Sequence, residues 1–194
     1  MKNSGKTPVT IGHRGYLKKR KRMLLIRSLI VLAGAVGLVV IGFVTTGSVK
    51  NWFTIIGLVT AIPFAMSIAT FLAIFKYKAP SEEAYEAVKK WVGNGVVDTE
   101  ILIANKDGAS FYFPFIYFHE DGIFGYLENA KADPEKTSEY VRNYLRLNDA
   151  DAPFTVLKEF NVFLKRIRSL PSSDRETVDE RILREEGVIR AISM

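Results

Sequence analysis

The stretch KKRKRMLLIRSLIVLAGAVGLVVIGF, residues 18–43, decides the fold. It sets five consecutive cations directly before a run with almost no polar side chain. From Ser28 to Val49 there are 22 residues without a charge, and from Asn51 to Phe75 another 25, with only Lys50 between them. About 20 apolar helical residues cross the hydrocarbon core of a bilayer, so each run is long enough to span alone. A cleaved secretion signal has a shorter apolar core, about 7 to 15 residues, followed by a small-residue cleavage site. Here the first run is longer and a second follows at once. A buried hairpin in a soluble protein would ask the rest of the chain to cover two helices that are apolar on every side. Such helices belong in lipid or at the centre of a much larger protein. The sequence therefore predicts a transmembrane α-hairpin over residues 23–78, with spans at about 24–46 and 52–75 and a tight turn around TTGSVKN.

Charge orients the hairpin. Residues 1–27 carry nine Lys and Arg and no Asp or Glu. With Lys50 set aside, the remainder has 17 basic residues against 21 acidic ones, a net of −4. The net +6 of the chain thus belongs to its basic tail, residues 1–22, and the folded remainder as a whole repels phosphate, so nucleic acid is not an expected partner. Cations flanking a first membrane helix mark its cytoplasmic side, and Lys76, Lys78, Lys89 and Lys90 repeat the signal after the second run. The expectation is a multi-pass protein of the cell membrane with both termini cytoplasmic. Lys18, Lys19, Arg20, Lys21 and Arg22 form the membrane-surface set, each contributing roughly 1 kcal/mol against an anionic inner leaflet.

The second run has a small-residue stripe, Gly57, Ala61, Ala65, Ala69 and Ala73, at every fourth position. Small side chains at that spacing let membrane helices approach closely. Ala33 and Gly37 offer a matching pair on the first span, so the stripe predicts packing within the hairpin, with a homo-oligomer as the other use. Pro63 removes a backbone donor in mid-helix, and Thr60 is placed to help re-satisfy the freed carbonyls. Beyond Arg27 at its entrance, neither span holds an ionisable residue of the kind that lines a transport path.

Residues 80–194 read as a small cytosolic α+β domain, long enough to bury a core of its own. Pro80, Ser81 and the acidic pair Glu82 and Glu83 open a helix, SEEAYEAVKKWV, closing at Gly93 or Gly95. TEILIANK, SFYFPFIYF and IFGYLEN are strands separated by the turns KDG and HEDG, which predicts a three-stranded antiparallel meander. A helix follows in DPEKTSEYVRNYLRLND. FTVLKEF fits either a strand or the start of a longer helix through NVFLKRIRSL. SSDRETVDERILREE reads as a helix with a Ser173/Glu176 capping box and Gly187 as its stop, leaving VIRAISM for a final strand. Within SFYFPFIYF, strict alternation puts Phe111, Phe113, Phe115 and Tyr117 on one face and Tyr112, Ile116 and Phe118 on the other. Both faces are apolar, as in a strand covered on both sides, and Pro114 asks for an edge position or a bulge.

Chemistry is sparse. There is no cysteine, so no thiol nucleophile, disulfide or thiolate metal site exists. The two histidines are His13, in the tail, and His119, in a turn; no metal site and no cofactor are expected. GNG at 93–95 lacks the Lys and Ser or Thr of a phosphate loop, and no G-x-S-x-G elbow occurs. The HED triple, residues 119–121, is ordinary turn chemistry.

If FTVLKEF is a strand, the order of elements from Ser81 is helix, three strands, helix, strand, which is similar to the core of restriction-endonuclease-like nucleases. That resemblance covers about ninety residues and implies metal held by an Asp on one strand and a (D/E)-x-K on the next, where period two puts Glu and Lys on one face. The sequence departs from the pattern, because ENAK sets Glu128 and Lys131 three apart. Two expectations follow. One is a non-enzymatic interaction or regulatory domain that binds a protein partner at the inner membrane surface. The other is a membrane-anchored hydrolase whose catalytic set is drawn from Glu100, Asp107, Asp121, Glu128 and Lys131.

Overall fold

The structure is a computed structural model and describes residues 10–93, 95–105, 110–128, 132–171 and 178–193. The chain divides into two units, one of residues 17–78 and one that joins residues 1–16 to 79–194.

The first unit is a helical hairpin. Helix α1, Tyr16–Thr46, and helix α2, Trp52–Phe75, are both long and apolar enough to cross a membrane. Asn51 organises the turn between them: its Oδ1 accepts the Thr54 N–H at 2.9 Å and caps α2, while its Nδ2 donates to the Ser48 carbonyl at 2.6 Å. The covered positions follow steps of three and four, Leu24, Ser28, Val31, Ala35, Leu38 and Gly42 on α1 and Gly57, Thr60, Phe64, Ser67 and Phe71 on α2. A 3.5-residue period is the signature of helices packed about 20° from antiparallel.

This seam corrects the expected use of the small-residue stripe. Gly57 is in the contact: a Cβ there would lie 3.0 Å from the Ala35 carbonyl and 3.0 Å from Val39 Cγ2. Its neighbours are thus Ala35, Leu38 and Val39 rather than Ala33, and a Cβ at Gly37 would meet nothing. Ala61, Ala65, Ala69 and Ala73 are exposed on the far side of α2. A four-residue period drifts around a helix of 3.6 residues per turn, so the stripe cannot stay on one seam. Thr60 also differs from expectation. Pro63 frees the carbonyl of Val59, but the Thr60 hydroxyl donates to Gly57 O at 2.6 Å.

The second unit is a mixed four-stranded sheet with helices on both faces. Helix α3, Glu82–Lys89, is capped by Ser81, whose hydroxyl accepts from Ala84 N. It is followed by β1, Val96–Ala104, β2, Ser110–His119, and β3, Gly122–Tyr126, which form the antiparallel meander expected from the sequence. Helix α4, Pro134–Leu147, starts at the Asp133 cap. Its crossover delivers β4, Phe154–Leu157, parallel to β3, so the sheet has four strands in the order β1-β2-β3-β4 rather than three. Helix α5, Phe160–Ser169, and helix α6, Glu180–Ile192, complete the unit.

The end of the chain departs from expectation. Gly187 does not stop α6, and residues 188–192 are helical rather than a strand. Gly in a helix interior costs about 1 kcal/mol, and complete burial of Ile189, two turns beyond Ile182 and one beyond Glu185, outweighs it. Ser193 alone forms an isolated bridge, to Ile103. Ser173 and Glu176, the expected capping box, and the KDG turn lie outside the described residues.

Two cores sandwich the sheet. One joins Ile101, Phe113, Ile116, Phe118 and Phe154 to Val141 and Leu145 of α4 and Ile182 and Ile189 of α6. The other joins Phe115, Tyr117 and Phe124 to Val88 of α3 and Phe163 and Ile167 of α5. Phe113 therefore shares a face with Ile116 and Phe118, not with Phe115. The phase of β2 shifts at Pro114, and that of β1 shifts opposite it at Glu100, whose φ is +59°. The ladder pairs Thr99 with Phe115 and Ile101 with Phe113, skipping Glu100 and Pro114 together. Pro114 sits in an interior strand because the kink falls where its missing N–H is not needed.

Candidate functional site

The five residues of the expected catalytic set do not share one place. Asp107 and Lys131 lie outside the described residues. Glu100 is buried at the β1 kink, where its Oε1 accepts the Gly15 N–H at 2.7 Å. Glu128 is exposed just beyond β3. Both carboxylates act on Tyr112, whose phenol is pushed far above its ordinary range, first by burial and then by the fields of Glu100 and Glu128. Asp121 is at one end of the sheet, in the β2–β3 turn, whereas Glu100 is mid-strand. The end of β2 is four residues past Phe115, which pairs beside Glu100, roughly 13 Å away at a strand rise of about 3.3 Å per residue.

Asp121 instead belongs with His119. The His119 Nδ1 accepts the Asp121 N–H at 3.2 Å and the Nε2 faces the Pro171 carbonyl at 3.1 Å, which fixes the tautomer with hydrogen on Nε2. An unprotonated Nδ1 gains no ion pair from the Asp121 carboxylate 3.5 Å away. The Nδ1 bond braces the β2–β3 turn itself, and the Nε2 bond ties that turn to the segment after α5. Beside this histidine a cavity of about 300 Å³ opens between the ends of α3, β2 and α5 and the start of α6, with Trp91, Tyr117 and Leu170 in its wall. The Arg168 guanidinium lies over the Trp91 ring at 5.0 Å. The Tyr117 hydroxyl donates to Val92 O at 2.9 Å, and burial pushes its pKa up to about 12.

The most concentrated buried charge in the domain was not singled out by the sequence. Asp98 on β1 is fully buried and receives Arg190 of α6 through two bonds, Nε to Oδ2 at 2.8 Å and Nη2 to Oδ1 at 2.5 Å. Glu186, one turn earlier on α6, approaches the same guanidinium at 2.6 Å. Two carboxylates thus share one cation. Burial, then the Asp98 charge, raises the Glu186 pKa to about 7. A readable signal exists, since an acid inside an apolar strand must be paired and Glu186 and Arg190 stand four apart on one helix face.

The segment before α1 closes this centre. The sequence placed His13 in a flexible tail, whereas residues 10–15 lie along the β1 edge. Gly12 bridges Thr99, whose N–H donates to Gly12 O at 2.8 Å. Gly12 takes φ +88°, and a Cβ on it would come within 2.5 Å of Asp98 Oδ1 and 2.6 Å of Arg190 Nε. Arg14 forms a two-pronged pair with Glu82, at 2.6 Å for Nη1 to Oε1, holding the Glu82 carboxyl below its ordinary range, and stacks over Tyr85 at 5.0 Å.

No family model matches this chain, and neither a curated protein nor a solved structure matches it. Among the described residues, no group of three or more His, Cys, Asp or Glu is arranged to hold a metal ion. The buried polar groups at Asp98 and His119 make hydrogen bonds that join elements to one another. Their chemistry here is to fasten the N-terminal segment and the β2–β3 turn.

Proposed function

We propose that this chain is a two-span integral membrane protein of the cell membrane, with both termini cytoplasmic, whose α/β domain is a non-enzymatic module that binds a protein partner or further copies of the chain at the inner surface. One observation carries the membrane part. Residues 10–16 before the hairpin and residues 79–193 after it pack into one unit, so a hairpin that crosses lipid must return to the side it left. Two apolar helices of 31 and 24 residues fit that path, and cations flanking both runs favour the cytoplasmic side. The binding part is supported by where the carboxylates go: Glu100 is engaged at the middle of β1 and Asp121 in the turn at one end of the sheet.

The chain has no cysteine, so single cysteines report topology directly. Ser48→Cys, in the turn between the helices, reacts with an impermeant thiol reagent in intact cells, and Asn148→Cys reacts only after lysis. Labelling of Asn148→Cys in intact cells would place the domain outside and overturn the orientation. For the partner, a photo-crosslinker at exposed Leu147, Val162 or Leu183 gives an adduct of discrete mass in native membranes. No adduct from any of the three positions would sink the binding reading.

A second reading is kept because FTVL is a strand. The element order α3-β1-β2-β3-α4-β4 is thereby the one similar to restriction-endonuclease-like nucleases, and Glu100 and Glu128 both act on Tyr112. This reading takes the chain as a membrane-anchored hydrolase. Mg²⁺- or Mn²⁺-dependent cleavage of DNA or RNA by the purified chain, lost in Glu128→Ala and in Lys131→Ala, would establish it over the binding module.

A further inference from the structure

The basic knot does not act as one block. Lys21 turns onto the partner helix, where its Nζ donates to Phe75 O at 2.9 Å and Tyr77 O at 2.5 Å, satisfying carbonyls that the end of α2 leaves open. Lys19 and Arg22 stand elsewhere on α1, and with Arg27 they border a shallow, open groove of about 400 Å³ along one face of the helix, beside Met23, Ile26, Ile30 and Val31. These are positions i, i+3, i+4, i+7, i+8, i+11 and i+12 of one helix, hence one face.

The groove has a charged head and an apolar body, with the chemistry ordered along the helix axis. At 1.5 Å per residue the 31 residues of α1 extend roughly 46 Å, against a hydrocarbon core of about 30 Å, so several turns project beyond it. The apolar run beginning after Arg27 puts those turns at the N-terminal end, setting Lys19 and Arg22 at headgroup depth. Arg27 is about 12 Å further along the axis than Lys19. Side chains on a helix lean toward its N-terminus, so the long Arg27 stem reaches back toward the headgroups while its methylenes stay in lipid. No Asp or Glu occurs anywhere in residues 1–81, which leaves the three cations of this face without a carboxylate in their own unit. Three cations over an apolar channel complement a phosphate joined to an acyl chain, and two guanidiniums offer the fork geometry that phosphate oxygens accept.

We propose that the face of α1 bearing Lys19, Arg22 and Arg27 is a binding site for one anionic phospholipid, its phosphate held at Arg22 with Lys19 beside it and Arg27 reaching back toward it, and one acyl chain lying below over Ile26 and Ile30. The site rests on the membrane reading above and adds to it a defined lipid position and a class of headgroup.

The full chain, purified in neutral detergent, is incubated with phosphatidylglycerol, phosphatidylcholine or inorganic phosphate, and retained ligand is read by native mass spectrometry. The expected result is retention of phosphatidylglycerol well above phosphatidylcholine, with Arg22→Gln and Arg27→Gln each lowering it about fivefold. Lys50→Gln, which makes the same change in net charge at the other end of the hairpin, leaves retention unchanged. Equal retention of the two lipids, or an equal loss in Lys50→Gln, overturns the site. Displacement of phosphatidylglycerol by millimolar inorganic phosphate also overturns it, since the groove would then recognise a free anion without a chain. Extraction of the wild-type chain from membranes by alkaline carbonate would instead remove the membrane reading itself, which separates the two failures.

Discussion

At the scale of single residues, Gly12 and Glu186 carry the argument. Any side chain at Gly12 meets the Asp98–Arg190 pair and adopts a positive φ that L residues avoid. Gly12→Ala is expected to destabilise the domain by about 1 to 3 kcal/mol, read as a lower urea midpoint at unchanged slope, while Gly15→Ala, where a Cβ meets nothing, tests the strain of a positive φ alone. Glu186 supplies a pH dependence with a definite sign. Its folded pKa, raised to about 7, exceeds the ordinary carboxylate value of 4.5, so the folded state binds the extra proton in that window. Its contribution is complete below about pH 4.5 and is lost as pH rises to about 7, a loss on the order of 1 to 3 kcal/mol. Glu186→Gln fixes the neutral form and should flatten unfolding free energy between pH 5 and 7. A slope as steep in the variant as in the wild type would assign the dependence to another group.

At the scale of elements, legibility followed the range of the interactions involved. The two long helices, the meander and the helix start at Ser81 were readable because composition, turn residues and capping are local. Strand β4 was undecided because four residues fit either period, and only its pairing with β3 makes it a strand. Gly187 was misread as a stop because the weight that carries α6 past it is the burial of Ile189 against the sheet. The Asp98–Arg190 centre was missed for the same reason: its partners are 92 residues apart. The alternation of β2 read Phe113 and Phe115 onto one face, and Pro114 alone signalled the change of phase. In the hairpin, the seam separates two glycine-or-alanine positions that sequence spacing had grouped. Gly57→Leu puts bulk against the Ala35 carbonyl, at 3.0 Å already for a Cβ, and is expected to lower the thermal stability of the hairpin in detergent. Ala65→Leu, on the exposed side of α2, leaves intramolecular packing intact, so equal losses in both variants would refute the seam.

At the scale of the whole molecule, the domain is discontinuous in sequence, with the apolar helical hairpin inserted between residues 16 and 79. The sheet has two edges, and that of β1 is covered by Gly12 on one stretch and Ser193 on another. Covering an edge in this way blocks unwanted strand pairing, and the cover comes from the segment that leads into the first helix. A fragment of residues 79–194 keeps both cores and should fold. It loses the Gly12 acceptor of Thr99, the Gly15 donor of Glu100 and the Arg14–Glu82 pair. One backbone–backbone bond and one backbone–carboxylate bond at about 0.5 to 1.5 kcal/mol each and an exposed pair at about 0 to 1 kcal/mol predict a domain weaker by about 1 to 4 kcal/mol. Buried Glu100 and Asp98, deprived of their cover, are where that loss concentrates. Chemical denaturation of the fragment, compared with the same fragment carrying residues 10–16 on a flexible linker, measures it. Restored stability in the linked form would support a domain completed by its N-terminal segment, and with it a hairpin whose two ends lie on one side of the membrane. Identical midpoints would mean that residues 10–16 contribute nothing to the fold, and the argument for a returning hairpin would then rest on charge alone.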